Sequence, residues 1–192
     1  MTMFDFQDGQ GPVPAHQHPN GGGWVADTAT VAETAYIGPN ARVFGQAQVS
    51  GNARVFENAR VFDKAQVSGN ACVAGNAQVF ENARVTEYAC VAGNAQVSGD
   101  AWVFENALVY GKARVTEYVS VEGIVTKNPI VITGFPFTVT IEDKLINIGC
   151  KSMTFEEWKS DKGKQIFKEE GLFYLYKPFK KVAKQILKTR GK

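Results

Sequence analysis

Gly51-Asn52-Ala53-Arg54-Val55-Phe56-Glu57-Asn58-Ala59-Arg60-Val61-Phe62 is two copies of one six-residue unit. Outward from this stretch the unit keeps its phase. Every sixth residue from Val25 to Val121 is valine, with Ile37 the single substitute. An alanine stands two residues before each position of the series from Val31 to Val115. Neither an amphipathic helix nor a hairpin meander carries such a period. A fixed short period marks a solenoid.

With valine as position one, alanine is position five. Residues two apart in an extended segment share a face, so alanine and valine form an inner pair. Positions six and two point outward. The branched valine side chain suits a strand. The alanine implies a narrow interior beside each corner. Position three carries Gly45, Gly51, Gly69, Gly75, Gly93, Gly99, Gly111 and Gly123, with glutamates such as Glu57, Glu81, Glu87, Glu105 and Glu117 elsewhere. Position four is often asparagine, as at Asn52, Asn58, Asn70 and Asn76. Gly and Asn tolerate positive φ and tight corners. Each hexapeptide is therefore expected to be one side and one corner, and the glutamates are expected to be solvated corners.

The pattern resembles the hexapeptide repeat of left-handed parallel β-helices. The resemblance spans residues 24–127 and implies an all-β fold with three hexapeptides to a triangular coil. It implies about six coils, a prism on the order of 27 Å long at ~4.8 Å per strand, and a homotrimer. Residues 1–23 read as an irregular lead-in that caps one end. After Val121 the register decays, with Val125 in an alanine slot and Lys127 in a valine slot. Residues 128–150 read as a β cap built on a short hairpin, and residues 151–192 as a helical, basic appendage. Thr154-Phe155-Glu156-Glu157 matches a capping box, which predicts a helix to about Glu170, stopped by Gly171. Phe179, Val182, Ala183, Ile186 and Leu187 recur at helical spacing after Pro178. That second helix is either a packing face or a basic surface for an acidic protein, a nucleic acid or a membrane surface. Phe173, Tyr174, Tyr176 and Phe179 favour packing.

The chain has 192 residues and a net charge of +2. Its start is acidic, no apolar run has membrane length, and three cysteines make no disulfide framework. These features point to a cytoplasm. Cys72 and Cys90 fall on adjacent coils, facing out, and read as free thiols whose spacing permits a bridge.

Stacked at about eighteen residues per coil, the outer residues form columns. One face carries Arg42 and Arg60 beside Phe44, Phe62 and Phe80. Another carries Arg54 and Phe56. Two readings of these columns stay open. A large exposed apolar stripe marks a contact, so they form a subunit interface. Alternatively, arginine forks and aromatic walls line a groove for an anionic ligand.

Enzymes of the resembled fold are acyl transferases with a histidine base and a projecting loop, or zinc carbonic anhydrases with three histidines. No histidine lies in residues 24–192. The only two, His16 and His18, are too few to close a zinc site alone. Across a trimer they would resemble the iron-binding histidine rings of some phage fibre proteins. The Gly21-Gly22-Gly23-Trp24-Val25-Ala26 lead-in, the Gly-Asn-Ala-x-Val run and Ile148-Gly149-Cys150 ahead of the capping box resemble hexapeptide-repeat proteins of phages and prophages. That resemblance would make the cytoplasm that of a host cell, with a virion as the alternative. The expectation is a non-enzymatic homotrimer without cofactor or metal, holding a small anionic ligand such as a nucleotide-type host defence signal. The alternatives are a virion or protein–protein scaffold component and a degenerate acyltransferase.

Overall fold

In the computed structural model, which describes residues 1–116, 119–132, 139–148, 151–169, 176 and 180, the repeat builds a β-solenoid. The strand Trp24–Ala26 opens it. Two-residue strands then follow at each repeat, from Thr30–Val31 to Ile124–Val125. They sort into three sheets, one per side, whose coil strands run parallel. Arg42 pairs with Arg60, Arg60 with Gln78 and Gln78 with Gln96, so each coil takes eighteen residues.

The inner alanines and valines from Ala35 to Val125 are all at 0–1% exposure. One repeat could not bury these side chains; the stack does so cooperatively. The narrow interior makes Ala77→Leu a test. Ala77 is fully buried, and added methylenes in a tight core cost about 1–3 kcal/mol. A urea melt should show that loss, and the neighbouring outward substitution Gln78→Leu should not.

The corners differ from the expectation in one respect. Positive φ occurs at position three, on Gly51, Gly69 and Gly75 and also on Glu57, Asp63, Glu81, Glu87 and Glu105. No asparagine takes it among the described residues. The asparagines instead build a side-chain ladder: Asn58 Nδ2 donates to Asn76 Oδ1 at 3.3 Å, and Asn76 Nδ2 to Asn94 Oδ1 at 3.1 Å. Two of the acidic corners offset their backbone strain by accepting from the next coil. Asp63 Oδ2 accepts from the Glu81 amide at 3.2 Å, and Glu81 Oε2 from the Gly99 amide at 2.5 Å.

The N-terminal segment is not irregular. Met3–Phe4 and Val13–Gln17 form an antiparallel hairpin, and the second strand pairs antiparallel with Trp24–Ala26. This covers the first edge of that sheet, which would otherwise template another chain. The Gly21-Gly22-Gly23 run closes a second edge. The Gly23 amide donates to Ile37 O, and a Cβ on Gly21 or Gly23 would lie 2.3 Å from a carbonyl oxygen of Ile37 or Gly38.

At the other end the phase changes earlier than the six-residue count suggests. Leu108 pairs with Ile124 and Val109 with Val125. Val125 therefore occupies a valine slot, not an alanine slot. The final side loses two residues at its Glu122-Gly123 corner, because the cap packs there. A Cβ on Gly123 would meet Glu142 Oε2 and Leu145 Cδ1, each at 2.7 Å.

The cap is a four-stranded antiparallel sheet, Ile130–Ile132, Val139–Ile141, Leu145–Ile148 and Lys151–Thr154. It runs past the boundary expected at residue 150. The capping box at Thr154 is present, with Thr154 Oγ1 accepting from the Glu157 amide and Glu157 Oε2 from the Thr154 amide. The helix it opens is short. Helix α1 (Phe155–Lys159) stops at Ser160, whose backbone is extended and whose hydroxyl bonds Glu157 O, and α2 (Asp161–Glu169) follows. Trp158 and Phe167 are fully buried against Ile141, Ile146 and Met153. Tyr176 joins this core, its ring 5.6 Å from Phe167. The helix expected after Pro178, the basic tail beyond it, Glu117, Cys150, Phe173, Tyr174 and Phe179 lie outside the described residues, Lys180 excepted.

Candidate binding face of the prism

The repeat places an outward residue every eighteen positions on one column, so three phenylalanines in phase become a stack. Phe44 and Phe62 lie 4.9 Å apart and 3° from parallel, and Phe62 and Phe80 5.0 Å apart and 2° from parallel. The hairpin continues this stack within the chain. Phe6, 1% exposed, lies 4.9 Å from Phe44, and Phe4 lies 4.2 Å from Trp24. Phe44 is thereby buried, while Phe62 and Phe80 remain half-buried.

Arg42 and Arg60 stand beside the stack, as the spacing predicts, but they serve the hairpin. Both donate to the backbone carbonyl of Phe6, at 3.2 and 3.0 Å, and Arg42 also donates to Gln7 Oε1 at 2.9 Å. Arg60 lies over the Phe44 and Phe62 rings, at 5.1 and 5.6 Å. Burial holds its guanidinium pKa below the ordinary value; the Arg42 charge lowers it further and Asp8 opposes this. Arg54 sits on another face, exposed, 5.6 Å from the Tyr36 ring and 5.3 Å from the Phe56 ring. The structure thus divides the seven candidate residues. Arg42, Phe44, Arg60, Phe62 and Phe80 form one assembly with the hairpin, and Arg54 and Phe56 form a separate one.

Of the grooves on the surface, one adjoins the stack and another lies at the far end of the coils. The first, about 610 Å³, runs between the hairpin and the stack and is lined by Phe6, Phe44 and Phe62 together with Asp8, Asp27 and Asp63. The second, about 600 Å³, lies where the last coil meets the cap, against Trp102, Phe104, Ser120 and Asn147. Trp102 is 43% exposed and donates its indole N–H to Thr86. Its signal in the sequence was an aromatic in a column otherwise filled by Gln48, Gln66 and Arg84.

His16 and His18 sit in different surroundings. His16 is exposed, with Nδ1 2.8 Å from Asp27 Oδ1. His18 lies just past the strand end, where the chain turns back, and is 4% exposed with Nδ1 bonded at Asn20. Among the described residues, no three His, Cys, Asp or Glu side chains are grouped to hold a metal ion. No helix among them is long and apolar enough to cross a membrane.

Residues 47–63 and 65–81 match the family model described as the YdcK beta solenoid repeat. No curated protein and no solved structure matches the chain. The repeat match agrees with the coils, and the chain is a β-solenoid repeat protein. A repeat fold carries no activity with it.

Proposed function

We propose that this protein is a non-catalytic binding solenoid that assembles as a homotrimer and takes a small anionic ligand in the clefts between prisms. The observation that carries the proposal is the aromatic stack. The hairpin covers it only as far as Phe44 and leaves the Phe62 and Phe80 rings half-buried. In a cyclic trimer an apolar stripe of this kind is buried against a different face of the neighbouring prism. Of the three arginines in the candidate columns, Arg54 is the one available to an anion, since Arg42 and Arg60 are engaged by the Phe6 carbonyl. A guanidinium flanked by Tyr36 and Phe56 suits a phosphate attached to a flat ring, as in the nucleotide-type signals a phage protein would sequester.

Native mass spectrometry should report a trimer for the parent chain and a folded monomer for Phe80→Asp. A parent monomer would overturn the assembly. A nucleotide bound at 100-fold its Kd should stabilise the fold by about 2.7 kcal/mol. That stabilisation should fall for Arg54→Ala. No melting shift with any nucleotide at saturation would remove the ligand.

A second reading, a scaffold or virion component, is favoured by the acidity of the first groove. Asp8, Asp27 and Asp63 suit a basic partner segment rather than a free anion. Recovery of the chain in purified particles would support this reading.

A further inference from the structure

One outward column on the Arg54 side changes character midway. Arg54, Cys72, Cys90 and Leu108 follow one another at one-coil intervals, each paired directly with the next. Beside them Phe56, Ala74, Ala92 and Tyr110 follow in the same order, linked by backbone bonds to the adjacent coils. Two coils therefore present only small outer side chains. They form a notch between large ones, about 14 Å from the Phe56 level to the Tyr110 level at ~4.8 Å per strand. Cys72 and Cys90 occupy this notch together and are half-buried free thiols.

We propose that Cys72 and Cys90 are a dithiol site that a low-molecular-weight disulfide closes, reversibly, into a disulfide between adjacent coils. Directly paired parallel strands are ~4.8 Å apart, inside the roughly 4.4–6.8 Å Cα separation that a disulfide bridges. The side chains of directly paired strands run side by side, so closing the bridge asks only for a small approach of the two Cβ atoms, to about 3.5–4.5 Å.

The local chemistry favours the exchange. A hydrogen bond from Cys72 lowers the Cys90 thiol to about 7, against the opposing effect of burial. The same bond raises Cys72, and burial and the Cys90 charge raise it further. The pair thus shares its last proton: one sulfur ionises easily and the second only with difficulty. Arg54 favours the anion at Cys72, and Glu57 opposes it. The Arg54 charge at the rim also suits a reagent that carries carboxylates.

The step balances. The Cys90 thiolate attacks one sulfur of the small disulfide, whose S–S bond breaks and whose other half leaves as a thiolate. Cys72 then loses its proton to that thiolate and attacks the Cys90 sulfur of the mixed disulfide. The second half departs as a thiolate and takes a proton from solvent. The two cysteines are oxidised, and the small disulfide is reduced to two thiols. This site requires neither the trimer nor the anionic ligand proposed above.

The test uses the full chain and oxidised glutathione near pH 7, followed by trypsin and mass spectrometry. Cys72 falls in the peptide 65–84 and Cys90 in 85–112, so their bridge is a linked pair distinct from any involving Cys150. The linked pair should accumulate several-fold faster in the folded chain than in chain unfolded by guanidinium, and dithiothreitol should remove it. Cys72→Ser should stop at a glutathione adduct on Cys90, and Cys90→Ser should react slowly. Adducts without a bridge in the parent chain, or bridging no faster than in unfolded chain, would overturn the proposal. Equal adduct rates in the two serine variants would overturn the assignment of Cys90 as the attacking sulfur.

Discussion

Phe6→Ala should release the N-terminal hairpin from the prism and leave the coils intact. Phe6 is 1% exposed, rests on the Phe44 ring and contacts Phe4 edge-on. Truncating a buried phenylalanine costs about 3–5 kcal/mol. Besides one antiparallel strand pair, the cluster around Phe6, Ala15, Ala26 and Phe44 and the two arginine bonds to the Phe6 carbonyl, the hairpin has the Phe4–Trp24 stack, the Arg42 bond to Gln7 and the His16–Asp27 contact. Hydrogen exchange should accelerate across residues 1–17, while amides such as Val61 and Val79 stay protected. The same variant reports on the binding face. Freed from Phe6, Arg42 and Arg60 become available to an anion, and the Phe44 ring becomes exposed. Uniform loss of protection through the coils would show that the hairpin is integral to the solenoid.

The second large effect is a dependence of stability on pH that runs against the usual acid denaturation. Glu142 is fully buried beneath the last coil, where its carboxyl accepts from Asn147 Nδ2 at 2.6 Å, the Gly123 amide at 3.2 Å and the Glu122 amide at 3.4 Å. Burial raises its pKa to about 7 despite these bonds, which pull the other way. Between the ordinary carboxylate range and 7, the folded chain holds a proton that the unfolded chain has released. The stability from this group is complete below the unfolded value and is lost as pH rises through 7. At about 1.4 kcal/mol per unit, the gap of roughly 2.5 units corresponds to about 3 kcal/mol. Other carboxylates act in the opposite sense, so the informative quantity is the difference between the parent chain and Glu142→Gln. The parent should lose about 3 kcal/mol relative to the variant between pH ~4.5 and ~8. Parallel curves would mean that Glu142 stays ionised in the cap.

The repeat was legible because its two inner residues answer to purely local rules. A branched residue and a small residue two apart declare a strand face, and six residues declare a side and a corner. The eighteen-residue stacking of Arg42, Arg60 and Gln78 needed one thing more, the three hexapeptides per coil that the resemblance implies, and the strand pairing bears it out. Three features were not legible. The covering of Phe44 depends on a contact between Phe6 and a ring thirty-eight positions later, which no periodicity encodes. Val125 moves from the alanine slot of the six-residue count to a valine slot because the Glu122-Gly123 corner shortens beside Glu142, a residue whose role exists only once the cap has docked. The asparagines suggested left-handed corners by their propensity. The strain fell instead on position three, and their amides were left to bond from coil to coil.

By itself the sequence determined the solenoid, its six-residue side and corner, and the valine and alanine core. These depend on spacing alone, and spacing is what a repeat preserves; the three-sided coil, and with it the outward columns, came from the resemblance to hexapeptide-repeat β-helices. Only the tertiary structure decided which columns are covered, where the final register shifts, and that Arg42 and Arg60 face a backbone carbonyl rather than solvent. Those outcomes depend on how two non-repeating ends fold back onto a regular prism. There burial and hydrogen bonding between residues distant in sequence outweigh any local preference.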